Sequence, residues 1–297
     1  MEGIVLENVS YKYKKTREGK EKYALWDISL SIGRGEFIAI IGRTGSGKST
    51  LIQHFNGLLK PEKGKCFFHG KNIWEKGYSM SELRKKAALC FQYPEYQLFE
   101  ETVFKDISFG LKNLGCDKEE CEQRTRRAMQ LFNLPPEVEN VSPFALSGGQ
   151  KRRVALAGIV VMEPEYLILD EPMAGMDAQG KKSLFQLLHQ LNQEKKTTIV
   201  MISHNMDEVA EHAGRILVMD KGRLAMDGTP SEVFSQEEEI KKMGLRLPQA
   251  AEFYFDLQKR NPFFLARTRS KEEIPLTPEE LARVIAEVFA EKSGGTL

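Results

Sequence analysis

The run GRTGSGKST, Gly42 to Thr50, sets glycines, a lysine and hydroxyl residues in the order Gly-x-x-x-x-Gly-Lys-Ser. These types at this spacing suit a chain of phosphates. Gly42, Gly45 and Gly47 let successive backbone N–H groups, Ser46 among them, curl around a β-phosphate; Lys48 bridges β and γ oxygens; the Ser49 hydroxyl, followed by Thr50, ligates Mg²⁺. Further on, the apolar run YLILD delivers Asp170 at its end, with Glu171 directly after it. Adjacent acids at such an edge suggest separate jobs, Asp170 holding Mg²⁺ through water and Glu171 taking a proton from the attacking water. His204 ends the run TTIVMISH and reads as a γ-phosphate contact. His54, His69, His189 and His212 lack such a setting and read as structural or surface residues.

A second glycine-rich stretch, LSGGQKRRVALAG from Leu146 to Gly158, has two readings. Ser147 and Gln150 fit a capping box, in which each side chain satisfies a backbone N–H at a helix start. Capping alone does not need Gly148 and Gly149. Their missing side chains let a ligand approach the backbone at a helix end that favours anions.

The elements that position these groups alternate. GIVLENVSYKY and ALWDISLSI read as paired strands, with the charged run Lys14 to Lys22 as a solvated hairpin loop between them. FIAIIG enters the phosphate loop and KSTLIQHFNGLL leaves it as a helix. SMSELRKKAALC, TVFKDISFGLKNLG and DKEECEQRTRRAMQLFNL carry helical spacing, the last ending at Pro135-Pro136. YLILD and TTIVMIS are buried-strand candidates separated by the helical QGKKSLFQLLHQLNQE, so a parallel sheet flanked by helices is expected. From Thr229 onward only short helices are expected. In the last of them Thr277 caps, Pro278 follows, Glu280 closes a capping box, and Leu281, Val284, Ile285, Val288 and Phe289 form one apolar stripe. That stripe packs on its own chain or on a partner.

Bulk properties narrow the class. The 297 residues, 41% of them hydrophobic, suffice for one large or two modest domains. A net charge of +1 provides no overall drive toward nucleic acid or anionic lipid. Cys66, Cys90, Cys116 and Cys121 show no Cys-x-x-Cys spacing and no signal peptide is visible, which favours a reduced cytoplasmic setting without metal bound by cysteine. No apolar run approaches the roughly 18 residues of a membrane span, so any service to a membrane passes through a partner.

Taken together, GRTGSGKST, Gln92 in FQYPEYQLF, LSGGQKRRVALAG, YLILDEPMAGMD and SHNMDEVAEHAGRILVMDKG resemble the ATP-binding cassette ATPases over about Glu2 to Phe234. More narrowly, FQYPEYQLFEETVFKDISFGLKNLG, SPFALSGGQKRRVALAG and MGLRLPQAAEFYFDLQKR are similar to the ATPase subunits of energy-coupling-factor transporters, which import vitamins and transition-metal ions. The resemblance implies an α/β fold: a phosphate-loop ATPase core of mixed sheet with an antiparallel N-terminal part, an inserted helical subdomain, and a small, mainly helical C-terminal domain. The corresponding boundaries are 1–230 for the nucleotide-binding domain, with the insert at about 79–163, and 231–297 for a C-terminal dimerisation or accessory domain.

The resemblance also implies roles. Tyr13 stacks on adenine, with Tyr11 as the alternative in the other register. Gln92 touches Mg²⁺ and water and relays nucleotide state to a transmembrane partner received by Pro94, Glu95, Gln97 and Phe99. Asp177 reaches across a dimer in which Ser147, Gly148, Gly149 and Gln150 of one subunit cover the ATP held by the other. Met173, Met176 and Ala178 stand where threonine, leucine and proline are usual, and Ala178 could loosen the turn after Asp177. The implied protein is a peripheral ATPase on the cytoplasmic side of the cell membrane. Its expected partners are a second ATPase, favoured as a related chain over a second copy, a transmembrane coupling subunit and a substrate-binding membrane subunit, with no nucleic acid. The alternative is a soluble cassette ATPase acting on nucleic acid or protein assembly. A non-hydrolysing regulatory cassette is disfavoured by the intact Glu171 and His204.

Overall fold

The computed structural model describes residues 3–13, 23–269 and 273–293. The charged run Lys14–Lys22, expected as a hairpin loop, lies outside the described residues. In chain order the elements are β1 (Ile4–Lys12), β2 (Tyr23–Ile32), β3 (Phe37–Ile41), α1 (Lys48–Phe55), β4 (Lys63–Phe68), β5 (Lys71–Asn72), α2 (Met80–Lys86) and β6 (Ala87–Cys90). There follow α3 (Val103–Asn113), α4 (Lys118–Leu131), α5 (Gly148–Val160), β7 (Tyr166–Asp170), α6 (Ala178–Lys195) and β8 (Thr198–Ile202). The remainder is α7 (Met206–His212), β9 (Arg215–Asp220), β10 (Arg223–Gly228), α8 (Pro230–Phe234), α9 (Glu237–Lys242), α10 (Gln249–Arg260), α11 (Pro262–Thr268) and α12 (Pro278–Ser293).

Two compact units partition the described residues. One takes those within Met1–Glu36 and Ser49–Ile202, the other those within Phe37–Lys48 and Ser203–Leu297. In the first, β1 pairs antiparallel with β2 and β4, matching the alternation of buried and exposed residues along β2. β7 pairs parallel with β6 on one side and β8 on the other. Tyr166 to Leu169 and Thr198 to Ile202 are buried throughout, as strands covered on both faces must be. Three helices, α3 to α5, pack together, started by the side-chain caps of Thr102, Asp117 and Ser147.

One expectation changes here. AALC does not continue the helix of SMSELRKK; it is β6, with Ala87 opposite Tyr166 and Cys90 opposite Leu169. Alanine and leucine favour helix locally, but Ala87, Ala88 and Cys90 are each buried in the parallel ladder, and tertiary packing overrides propensity.

In the second unit β3 runs parallel to β9, and β9 turns through Lys221-Gly222 into antiparallel β10. The C-terminal part is helical, as expected from Thr229 onward. Thr229 and Glu232 form a capping box at α8. Thr277 and Glu280 exchange the same bonds at α12, Glu280 N–H donating to Thr277 Oγ1 at 3.2 Å and Thr277 N–H to the Glu280 carboxylate at 3.2 Å. The apolar stripe of α12 packs on its own chain: Val288 joins Tyr254 and Phe264 in a buried cluster, with Leu281, Val284, Ile285 and Phe289 against it. Each such side chain contributes roughly 1.5–3 kcal/mol when fully buried. No helix among the described residues is long and apolar enough to cross a membrane.

His54 closes α1 inside the first unit. Its Nδ1–H donates to the Thr50 carbonyl at 2.8 Å, which leaves Nε2 as the unprotonated, buried and unpartnered nitrogen. Burial lowers its pKa from 6.5, outweighing the opposing effect of the Thr50 hydrogen bond. The unfolded chain therefore binds a proton on acidification that the folded chain resists, so this stability is present above about pH 6.5 and is lost as pH falls. Urea unfolding is expected to show less stability at about pH 5.5 than at about pH 7.5, with His54→Gln flattening the difference. An unchanged pH dependence in the variant would remove His54 as the cause.

Candidate functional site

The phosphate loop is built by strand β3 running into α1. Gly42 takes φ +151°, and a Cβ added there would lie 2.3 Å from the Met219 carbonyl oxygen and 2.6 Å from Ser46 Oγ, so only glycine fits. Gly45 and Gly47 also have positive φ, +79° and +107°. The β9–β10 turn braces the loop, Gly222 N–H donating to the Ser46 carbonyl at 2.9 Å. Lys48 is buried, and its ammonium donates to the carbonyls of Gly42 at 2.7 Å and Arg43 at 3.1 Å. Ser46 Oγ is buried without a hydrogen-bond partner. A buried ammonium, an orphaned hydroxyl and a loop shaped around glycine are the donor set a phosphate chain requires.

His204 comes to the same unit. Ser203 N–H donates to the Ile40 carbonyl at 3.4 Å, which sets the segment just before His204 beside the end of β3 that feeds the loop. His204 itself is exposed. Ser49, also exposed, and buried Thr50 start α1. Tyr13 and Thr50 share a hydrogen bond of 3.1 Å through their hydroxyls. Tyr13 keeps 45% of its surface exposed, whereas Tyr11 packs edge-on against both Tyr13 and His54. Of the two candidates, Tyr13 has the more exposed ring.

The first unit holds Asp170, Glu171 and Gln92, the residues expected from sequence to act in hydrolysis. Asp170 ends β7, and Glu171 follows with φ +49°, a left-handed conformation unusual for a side chain of its kind. Gln92 Nε2 donates to the Glu171 carboxylate at 3.0 Å across 79 residues of sequence. Cys90, at the end of β6, is nearby; burial pushes its thiol up to about 12, with Arg152 opposing and Glu95 and Asp170 adding to the rise. Such a thiol is inert.

At α5 both halves of the capping box form: Gln150 N–H donates to Ser147 Oγ at 3.3 Å, and Ser147 N–H to Gln150 Oε1 at 3.1 Å. Around Gly148 and Gly149 the space is open, since a Cβ at either would meet nothing within 4 Å. The chain's own packing therefore gives no reason for the glycine pair. Asp177 is the N-cap of α6, accepting from Gly180 N–H at 2.8 Å despite Ala178 in place of proline. Gly148, Gly149 and Asp177 line one cavity of about 630 Å³.

One residue was not singled out from sequence. Arg152, within the basic KRR run, is 4% exposed and donates from Nη1 to the Ala174 carbonyl and from Nη2 to the Glu171 carbonyl at 3.3 Å. Its signal is positional. Arg152, Leu156 and Val160 recur at four-residue spacing and all are buried, so Arg152 shares the apolar face of α5.

The ABC transporter family matches residues 25–174, half of the chain. The energy-coupling factor transporter ATP-binding protein EcfA2 of Caldanaerobacter subterraneus subsp. tengcongensis is 48% identical over 277 residues, covering 91% of this chain and 96% of its own. The chain belongs to the ABC transporter family and, within it, to the energy-coupling factor ATP-binding proteins. Among solved structures, cbiO1 from Clostridium perfringens, part of an ABC transporter complex, superimposes with TM-score 0.70 and 37% identity over 85% of this chain and 99% of its own. A dimer of the ATP-binding cassette MJ0796, bound to ADP and Pi after hydrolysis, matches with TM-score 0.68 and 28% identity over 76% of this chain and 98% of its own.

Proposed function

We propose that this chain is the ATP-hydrolysing subunit of an energy-coupling-factor importer, driving uptake of vitamins or transition-metal ions through membrane partners. The observation that carries the reading is the 3.0 Å bond from Gln92 to Glu171. It ties the general base to a segment whose next residues are exposed aromatics: Tyr93, Tyr96 at 84% exposure and Phe99 at 57%, with Phe109 edge-on to Phe99. Exposed aromatic clusters of this kind receive protein partners, here the coupling segments of a transmembrane subunit.

In hydrolysis Lys48 and the loop N–H groups hold the β- and γ-phosphates, and Tyr13 stacks on adenine. The Glu171 carboxylate takes a proton from water as the water oxygen bonds to the γ-phosphorus; the bond to the β–γ bridging oxygen breaks, and ADP and phosphate leave. His204 contacts the γ-phosphate. Mg²⁺, where bound, neutralises charge on the phosphates. The Ser49 hydroxyl and the Gln92 amide oxygen would hold it as hard oxygen donors, with the Asp170 carboxylate acting through water.

The open surface at Gly148 and Gly149 supports a head-to-tail dimer in which Ser147 to Gln150 and Asp177 act at the partner's nucleotide, the partner being a related ATPase. Closure follows from contacts to the γ-phosphate that exist only in the closed state, and hydrolysis removes them. We place residues 231–297 as an accessory domain contacting the second ATPase. Because the α12 stripe already packs on Tyr254 and Phe264, exposed Phe253 and Leu265 are its contact candidates.

Copurification of the tagged chain from native membranes tests the reading. Retention in the membrane pellet with a second ATPase and a multi-span subunit is expected, with Phe253→Glu or Leu265→Glu weakening hold on the ATPase. A soluble chain carrying salt-sensitive nucleic acid would instead support the soluble alternative. Full retention of the second ATPase in both variants would remove the C-terminal assignment.

A further inference from the structure

We propose that Arg152 is a positioning residue for hydrolysis: from inside the helix that LSGGQ starts it holds the backbone of the loop carrying Glu171 in the same chain. This rests on the reading of Glu171 as the general base. The Arg152 guanidinium is buried and reaches two carbonyls of one turn, those of Glu171 and Ala174. That turn also closes on itself, Ala174 N–H donating to the Glu171 carbonyl at 3.2 Å. Both donors thus converge on the peptide that leaves Glu171.

The loop needs such a hold. Glu171 sits at φ +49°, which a non-glycine residue keeps only when its surroundings impose it. Beyond it, Ala174, Gly175, Met176 and Asp177 line the cavity of about 630 Å³, so close packing does not confine them on that side. Arg152 also carries a cost, because its Nε is buried without a hydrogen-bond partner. An apolar side chain on this face of α5 would avoid that cost. What it would not supply is a planar fork spanning two carbonyls.

The same helix begins with Ser147, Gly148 and Gly149, the residues proposed to meet the partner's nucleotide. A shift of α5 is therefore transmitted through Arg152 to the chain's own Glu171, linking occupancy of one site to the geometry of the base at the other.

The test uses the full chain assembled with its ATPase and membrane partners, with MgATP as substrate. Arg152→Gln is expected to leave KM for MgATP within about twofold and to lower kcat by about 10- to 100-fold, the scale of a small misplacement of a reacting group. Arg152→Lys, which keeps the charge but reaches one carbonyl, is expected to fall between, and it carries the same comparison if Arg152→Gln does not fold. The deciding measurement is the combination with Glu171→Gln. If Arg152 acts through Glu171, adding Arg152→Gln to that background lowers the remaining turnover no further. An equal loss in both backgrounds, or wild-type kcat in Arg152→Gln, overturns the proposal. Wild-type turnover in Glu171→Gln alone overturns the general-base reading beneath it, a result visible before Arg152 is changed.

Discussion

Glu171→Gln is expected to leave MgATP binding intact while slowing turnover by about 10²–10⁴, or about 3–5 kcal/mol of transition-state stabilisation. Glutamine has the same shape, and its amide oxygen can accept the bond that Gln92 Nε2 now makes to the carboxylate at 3.0 Å. The Arg152 contact is to the Glu171 carbonyl and does not depend on the side chain. The substitution therefore preserves the loop and removes only the basic oxygen that takes the proton from water. Single-turnover hydrolysis measured alongside nucleotide affinity separates the two effects. Turnover at the wild-type rate would remove Glu171 as the base, and lost affinity would mean that the residue holds the nucleotide instead.

Lys48→Ala is expected to act on the other quantity. The ammonium is buried and held by the Gly42 and Arg43 carbonyls at 2.7 and 3.1 Å, acceptors from the loop's own backbone. With nucleotide present the phosphate oxygens, which carry full charge, are the stronger acceptors. Truncating one partner of a buried charge pair costs about 2–5 kcal/mol, so MgATP affinity is expected to fall roughly 30-fold to several thousandfold. Equilibrium titration with a fluorescent ATP analogue reads this directly. An unchanged Kd would contradict the assignment of Lys48 to the β- and γ-phosphates.

Both variants address residues legible in the sequence. The phosphate loop is contiguous, and its chemistry follows from residue order: a strand, glycines at positive φ, then Lys48 and Ser49 at a helix start. Capping boxes at Ser147 and Thr277 are equally local, each closing over three residues. Buried runs such as YLILD marked a strand and put Asp170 at its end. All of these rest on bonds and periodicities within one turn or one strand, which is why a chain read without its neighbours reveals them.

Tertiary structure alone decided the rest. AALC became β6 because β7 was there to pair with it, not because of its own propensity. The α12 stripe could have faced a partner, and the presence of Tyr254 and Phe264 directed it inward. Gln92 meets Glu171 across 79 residues, and Arg152 reaches backbone carbonyls 19 and 22 residues away. Contacts of that separation are set by which strands adjoin and how helices dock on them; four-residue spacing puts Arg152 on the buried face of α5, but no local pattern encodes which carbonyls it meets there. The sequence by itself determined what chemistry the chain carries; folding determined that Glu171 is held by Gln92 at its carboxylate and by Arg152 at its carbonyl, because long-range packing, not residue order, brings those three together.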